Sequence, residues 1–228
     1  MERYEWKPAA ACVRGAAMEQ PGLLPRDILD KPLEDLTRQD FEAILQAGET
    51  AGLRLYHFKK KDLLPRVKVV MGFLRGICPE SLLDVGSGRG VFLLPFLREF
   101  PWVPVTGVDI LPHRVQMLSR MSRGGMDNLT ALEKDITAWQ EDANLFDVVT
   151  LLEVLEHIPQ VEKAVANAVR LARRFVVVSV PSQPDNNPEH ILLLTKDILT
   201  KLFTDAGCTK LHFDGVNGHL ILVATVEA

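Results

Sequence analysis

The chain has 228 residues, 47% hydrophobic and 25% charged, with a formal net charge of −4. That balance describes one domain plus an appendage with enough apolar material for a real core, and it excludes a disordered, collagen-like or disulfide-stapled protein. Cys12, Cys78 and Cys208 form no Cys-x-x-Cys pair, which excludes a zinc ribbon and fits a reducing cytoplasm. No stretch reaches the roughly 18 apolar residues of a membrane span. The N-terminus lacks the apolar run of a signal peptide, and the acidic excess argues against a general nucleic-acid binder.

Residues 1 to about 36 carry Pro8, Pro21, Pro25 and Pro32 with little periodicity and read as an irregular arm. Helical patterns follow at Asp40–Ala51 and Asp62–Gly76, the second with an apolar face of Leu63, Leu64, Val67, Val70, Met71 and Leu74. Between Arg54 and Arg75, seven basic residues face one acid, Asp62. A solvated helix face is the simpler reading, and a rim for an anionic ligand the functional one.

From Ser81 the pattern alternates. Apolar runs at 81–85, 103–108, 129–133, 146–151 and 174–180 are separated mostly by helical patterns at 92–100, 113–122 and 161–172. Strands alternating with amphipathic helices predict right-handed βαβ units and a buried parallel sheet, an α/β three-layer sandwich. Pro95 predicts that the first of these helices starts late or bends. Thr195 is a candidate N-cap for a helix through Ala206. Runs at 209–214 and 219–226 lie too close for a crossover and predict an antiparallel hairpin.

The strongest motif is Asp84-Val85-Gly86-Ser87-Gly88-Arg89-Gly90, at the end of the first strand. Glycines there let backbone approach a ligand. A dinucleotide fingerprint would place the third glycine at position 91, where Val91 stands. A carboxylate at Asp84 would repel a pyrophosphate and attract a sulfonium or ammonium group. Asp109 ends the second strand, about twenty residues on, where a carboxylate can accept ribose hydroxyls or cap the next helix. Asp135-Ile136 follows the third strand, an acceptor and an apolar wall for an adenine.

These motifs in this order, with Phe146-Asp147-Val148-Val149 and Glu153-Val154-Leu155-Glu156-His157-Ile158, resemble those of class I S-adenosylmethionine-dependent methyltransferases, in the broad small-molecule branch. The resemblance covers about residues 62–226. It implies a Rossmann-like, seven-stranded, mostly parallel sheet of order 3-2-1-4-5-7-6 with strand seven antiparallel. It implies S-adenosylmethionine as cofactor and S-adenosylhomocysteine as product. The implied cofactor contacts are Asp84, Gly86, Ser87, Gly88 and Gly90 at the methionine part, Asp109 and Ile110 at the ribose, and Asp135 and Ile136 at the adenine, with Leu152 at the end of the fourth strand. It also implies that residues 1–60 cover the active site of a main domain at 61–228.

His157 is the candidate general base, at the ligand edge of the sheet, or else a structural link between loops. Glu153 is the second catalytic candidate, beside the cofactor or capping its loop. The expected partner is a small-molecule methyl acceptor, at a cytoplasmic, metal-free site without membrane contact. A rival reading joins Glu153, Glu156, His157 and His190 as metal ligands, similar to the small-RNA 2′-O-methyltransferases, with the basic stretch meeting RNA. A NAD-dependent dehydrogenase would also use a glycine loop after its first strand, and Val91 disfavours it. A non-catalytic nucleoside-binding subunit would use the same cofactor residues without transfer. The Pro- and Asn-rich segment 181–188 is expected to face the substrate. His219 reads as a structural residue of the last strand.

Overall fold

The computed structural model describes residues 5–140 and 143–226. Seven strands form one sheet: β1 (Leu82–Val85), β2 (Val105–Asp109), β3 (Leu129–Glu133), β4 (Phe146–Leu152), β5 (Ala172–Pro181), β6 (Lys210–Val216) and β7 (His219–Thr225). Their order is β3-β2-β1-β4-β5-β7-β6. Strands β1 to β5 are parallel to their neighbours among one another, and β7 runs antiparallel to both β5 and β6. This is the expected topology. The order reverses between β1 and β4, and an open α/β sheet leaves its crevice there, at the carboxyl ends of the strands.

The helices are α1 (Trp6–Glu19), α2 (Arg26–Leu29), α3 (Arg38–Thr50), α4 (Pro65–Ile77), α5 (Leu93–Glu99), α6 (Pro112–Arg123), α7 (Val161–Leu171) and α8 (Lys196–Asp205). Alternate strand residues feed two cores, as the period of two requires. Leu82, Val148, Val177 and Ile221 pack beneath α4, α5 and α6. Leu83, Val149, Val176 and Leu222 pack beneath α7 and α8. Both faces are covered, so the central strands read as unbroken apolar runs.

Two sequence expectations resolve simply. Pro95 is the third residue of α5, within the first turn, where its missing N–H has no helical acceptor to lose. The β6–β7 turn is only Asn217-Gly218, with left-handed φ of 43° and 80°. That is the geometry an Asn-Gly hairpin turn needs.

The N-terminal segment departs from expectation. Residues 6–19 form a helix, and its residues Pro8 to Ala17 are all buried. A helix buried around most of its girth shows no polar stripe, so its sequence carries no period of 3.6. Pro8 sits in its first turn. α1 lies on α6 through bare backbone: Gly15 abuts the Arg120 carbonyl and Gly124 the Ala11 carbonyl. Glu19 pairs with Arg120 at 2.6 Å and with Arg123. Trp6 meets Phe41 of α3 edge-on, ring centroids 3.9 Å apart. Buried Arg14 donates to the carbonyls of Leu29 and Lys31 at 2.8 and 2.5 Å, fixing the turn after α2. The segment thus thickens the layer of α4, α5 and α6. None of its described residues is among those lining the cleft at the strand ends.

A methyl at Gly124 would land on the Ala11 carbonyl. We expect Gly124→Ala to cost about 3 kcal/mol, seen as a lower urea midpoint. An unchanged midpoint would show that α1 is not held against α6.

Candidate active site

The strand–turn–helix at 84–93 is shaped by three left-handed glycines, Gly86, Gly88 and Gly90, at φ of 66°, 55° and 76°. A Cβ at Gly86 would stand 2.5 Å from a methyl of Val154, so the two loops that flank the strand-order reversal meet only because position 86 has no side chain. The loop is pinned from below. The Ser87 N–H donates to the Val108 carbonyl at 3.0 Å and the Ser87 hydroxyl to the Asp84 carbonyl at 2.8 Å. The Gly90 N–H donates to the Ser87 carbonyl at 2.9 Å.

Asp84, expected beside the methionine part of the cofactor, is a buried carboxylate. It is 3% exposed, and its Oδ1 accepts the Thr150 hydroxyl at 2.8 Å. Burial pushes its carboxyl up to about 7, against the Thr150 and Ser87 hydrogen bonds that lower it, with a further upward push from Asp109. It lies under the loop and is not among the residues lining the cleft.

The cleft beside the loop has a volume of about 510 Å³. Of the ten cofactor residues expected from sequence, Gly86, Asp109, Ile110, Asp135 and Ile136 line it, from three successive strand ends. Ser87, Gly88 and Gly90 shape the loop behind the lining, and Leu152 packs into the core on the α4–α6 side. Asp109 holds the site together: Oδ2 accepts the Gly88 N–H at 2.9 Å, and Oδ1 accepts the Leu111 N–H at 3.0 Å. The Arg114 guanidinium stands 3.4 Å from Oδ2. The capping role weighed for Asp109 is filled by its bond to Leu111, on a carboxylate that also lines the cleft. Asp135 uses Oδ1 for the Thr137 N–H and hydroxyl, both at 2.8 Å, which fixes the short 3-10 turn Ile136–Ala138. Ile110 is 65% exposed, an apolar side chain on the cleft wall.

Both catalytic candidates stand on the opposite wall. Glu153 has a left-handed φ of 58°, unusual for a side chain with a Cβ. Its Oε1 accepts the Ser179 hydroxyl at 2.8 Å and lies 3.7 Å from Arg66, and its Oε2 lies 3.1 Å from His219 Nε2. Arg66, Ser179 and His219, which hold Glu153, are residues that sequence reasoning does not assign to the site. Arg66 belongs to the basic stretch, which hinted at a charged rim, whereas His219 and Ser179 carry no signal beyond their place in strands. Elsewhere in that stretch Arg75 pairs with Glu99 on the outside of the helix layer. His57 is held below the usual histidine range by burial first, then by Arg89, Lys61 and Arg54.

His157 Nδ1 lies 2.8 Å from the Glu189 carbonyl. A carbonyl only accepts, so in the neutral ring the proton sits on Nδ1 and Nε2 carries the lone pair. Of the four residues weighed as metal ligands, Glu156, His157 and His190 come together, while Glu153 is turned to Arg66 and His219. Glu156 is 1% exposed, and burial pushes its carboxyl up to about 8. The segment 181–188 reaches this wall through Asp185, which meets His190 Nδ1 at 2.8 Å.

Residues 57–212, more than half of the chain, match the family described as "Methyltransferase domain". The chain is 27% identical over 103 residues to the ubiquinone biosynthesis O-methyltransferase of Rickettsia akari (strain Hartford), covering 45% of this chain and 40% of that protein. It is 38% identical over 129 residues to ribosomal RNA small subunit methyltransferase G of Lactococcus lactis subsp. lactis (strain IL1403), covering 53% and 54%. The chain therefore spans about half the length of these curated relatives. Among solved structures, an O-methyltransferase family protein from Burkholderia thailandensis superposes with a TM-score of 0.58 at 17% identity, covering 88% of this chain and 66% of that one. The methyltransferase domain of bacterial CtHen1 gives 0.59 at 17% identity, covering 70% and 97%.

The buried acid under the loop has a measurable signature. Asp84 moves from 3.8 to about 7 on folding, so the folded state keeps a proton that the unfolded chain releases between those values. Stability from this group is full below pH 4, falls as pH rises to about 7, and is level above. Across that window we expect the wild type to lose roughly 2–4 kcal/mol more than Asp84→Asn in chemical denaturation. Parallel profiles would mean that Asp84 titrates as an ordinary carboxylate.

Proposed function

The chain belongs to the methyltransferase-domain family, and on that premise we propose that it transfers a methyl group from S-adenosylmethionine to an oxygen of a small-molecule acceptor. The observation that carries this reading is one cleft in which Gly86, Asp109, Ile110, Asp135 and Ile136 arrive from the ends of β1, β2 and β3 in turn. The residues present suit the nucleoside. Bare backbone at Gly86 admits close approach, and Asp109 Oδ1 keeps a lone pair for a ribose hydroxyl beyond its bond to Leu111. Exposed Ile110 and buried Ile136 make an apolar slot for a flat ring, with Asp135 at its edge for an amino group. The volume falls within the roughly 300–1,000 Å³ of ligand clefts.

When bound, S-adenosylmethionine supplies a methyl already activated by its sulfonium. The chain's own work is then alignment, exclusion of water and handling of one proton. His157 presents an Nε2 lone pair on the acceptor side of the cleft, suited to take the proton of an attacking hydroxyl. Glu153, held by Ser179, Arg66 and His219, frames that side. The Rickettsia relative, an O-methyltransferase, supports an oxygen acceptor. An RNA acceptor is the second reading, favoured by the cations around His57 and by the Lactococcus relative.

Calorimetry with S-adenosylhomocysteine should show one site, weakened by about 1–3 kcal/mol in Asp109→Ala; no binding by the folded wild type would defeat the reading. Binding without transfer to any phenol, catechol or RNA would instead identify a non-catalytic nucleoside-binding subunit. With a competent acceptor, His157→Ala should lower kcat at least about 100-fold while leaving S-adenosylhomocysteine affinity within about twofold. A smaller fall in kcat would return His157 to a purely structural role.

A further inference from the structure

Glu153 lines the cleft, and both of its oxygens already have partners. The Ser179 hydroxyl donates to Oε1 at 2.8 Å, and His219 Nε2 stands 3.1 Å from Oε2. His219 Nδ1 lies 3.0 Å from the Asn217 carbonyl. A carbonyl and an ionised carboxylate only accept, so both ring nitrogens donate. His219 Nε2 then has no lone pair for the Arg66 guanidinium, whose Nη1 stands 3.4 Å away. Arg66 Nε, 3.7 Å from Oε1, is beyond hydrogen-bond reach as well.

The Arg66 guanidinium therefore meets no hydrogen-bond acceptor among the described residues, although its side chain is only 21% exposed. A guanidinium keeps its charge, and withdrawing it from water without an acceptor is costly. Its surroundings do not cancel that charge. Arg66 stands in the first turn of α4, which has no acidic residue and no side-chain cap, so the positive end of the helix adds to it. Upstream, Arg54 and Lys61 gather with Arg89 of the glycine loop around His57. Asp185, from the segment after β5, is engaged by His190 at 2.8 Å. Arg66 is thus a point where the basic stretch reaches a cleft-lining side chain with its donors still open.

We propose that Arg66 determines specificity by binding the carboxylate of a hydroxy-acid acceptor, whose hydroxyl lies toward His157 and receives the methyl group. A planar guanidinium matches a carboxylate through two parallel hydrogen bonds. This names the acceptor class of the cleft, and it rests on the methyl-transfer reading. His157 keeps the role of base, while Arg66 orients the acceptor and selects against neutral analogues. A site built to meet a charged group rejects the analogue that lacks it, because its own group is then left unmatched.

The full chain, saturated with S-adenosylhomocysteine, is titrated by calorimetry with 3,4-dihydroxybenzoate and with catechol, a pair that differs only in the carboxylate. We expect the acid to bind about 10- to 100-fold tighter than catechol. Arg66→Met should abolish that preference and leave the affinities for catechol and S-adenosylhomocysteine within about twofold. Arg75→Met, on the same helix but paired with Glu99, should behave as the wild type does. No binding of the acid, equal binding of the two probes, or a preference that survives Arg66→Met would each overturn the proposal. A fall in S-adenosylhomocysteine affinity in Arg66→Met would overturn it too, by giving the guanidinium to the cofactor's own carboxylate. Circular dichroism checks that the variants fold; Arg66→Lys, expected to keep only part of the preference, carries the test if Arg66→Met does not. A wild type that binds no S-adenosylhomocysteine is the distinct result that removes the methyl-transfer reading and this proposal with it.

Discussion

The site depends on the two backbone amides that the Asp109 carboxylate holds, Gly88 at 2.9 Å and Leu111 at 3.0 Å. One side chain at the end of β2 thereby locks the loop after β1 to the start of the segment leading into α6. A charged acceptor makes such bonds stronger than neutral ones, and the left-handed glycines let the loop fold into their reach. The missing Cβ at Gly86 then lets Val154, from the loop after β4, close to contact. Loop geometry, cleft shape and the approach of the two walls all follow from that anchoring.

Around this anchor, carboxyl groups of the same chemistry take different roles through their surroundings. Asp84 and Glu156 are buried, and burial raises them to about 7 and about 8. Asp109, as buried as Asp84, is faced by two amides and a guanidinium. Glu153 is met by a hydroxyl, an arginine and a histidine from β5, α4 and β7. The cleft is thus lined by Asp109 and Asp135 from the ends of β2 and β3 and by Glu153 and His157 after β4. Glu156, buried with no side-chain hydrogen-bond partner among the described residues, lies in the turn after β4, beside that group of acids and histidines.

The N-terminal segment adds its mass to the helix layer of α4, α5 and α6. Its alanines and glycines bring α1 against α6 at backbone distance, and Phe41, Ile44 and Phe58 join the core beneath α4 to α6. Full burial of such side chains contributes about 1.5–3 kcal/mol each. Behind β2 and β3 it braces the two strands whose ends carry Asp109 and Asp135. Nothing in its composition announces this, because proline suggests irregularity and uniform burial erases the helical stripe.

What the amino-acid order determined by itself is local and periodic: the alternation of strands and helices, the Asn217-Gly218 turn, the Thr195 cap and the glycine loop before Asp109. Short-range sterics and hydrophobic period decide those, so they are readable one residue after another. The family motifs were legible for the same reason. Only the tertiary structure decided that Asp84 is buried under the loop, that Arg66 and His219 reach Glu153, and that buried Glu156 lies beside two histidines. These meetings join residues from separate helices, strands and loops. A carboxylate's exposure and its partners are set by how those elements pack, and no spacing along the chain encodes them.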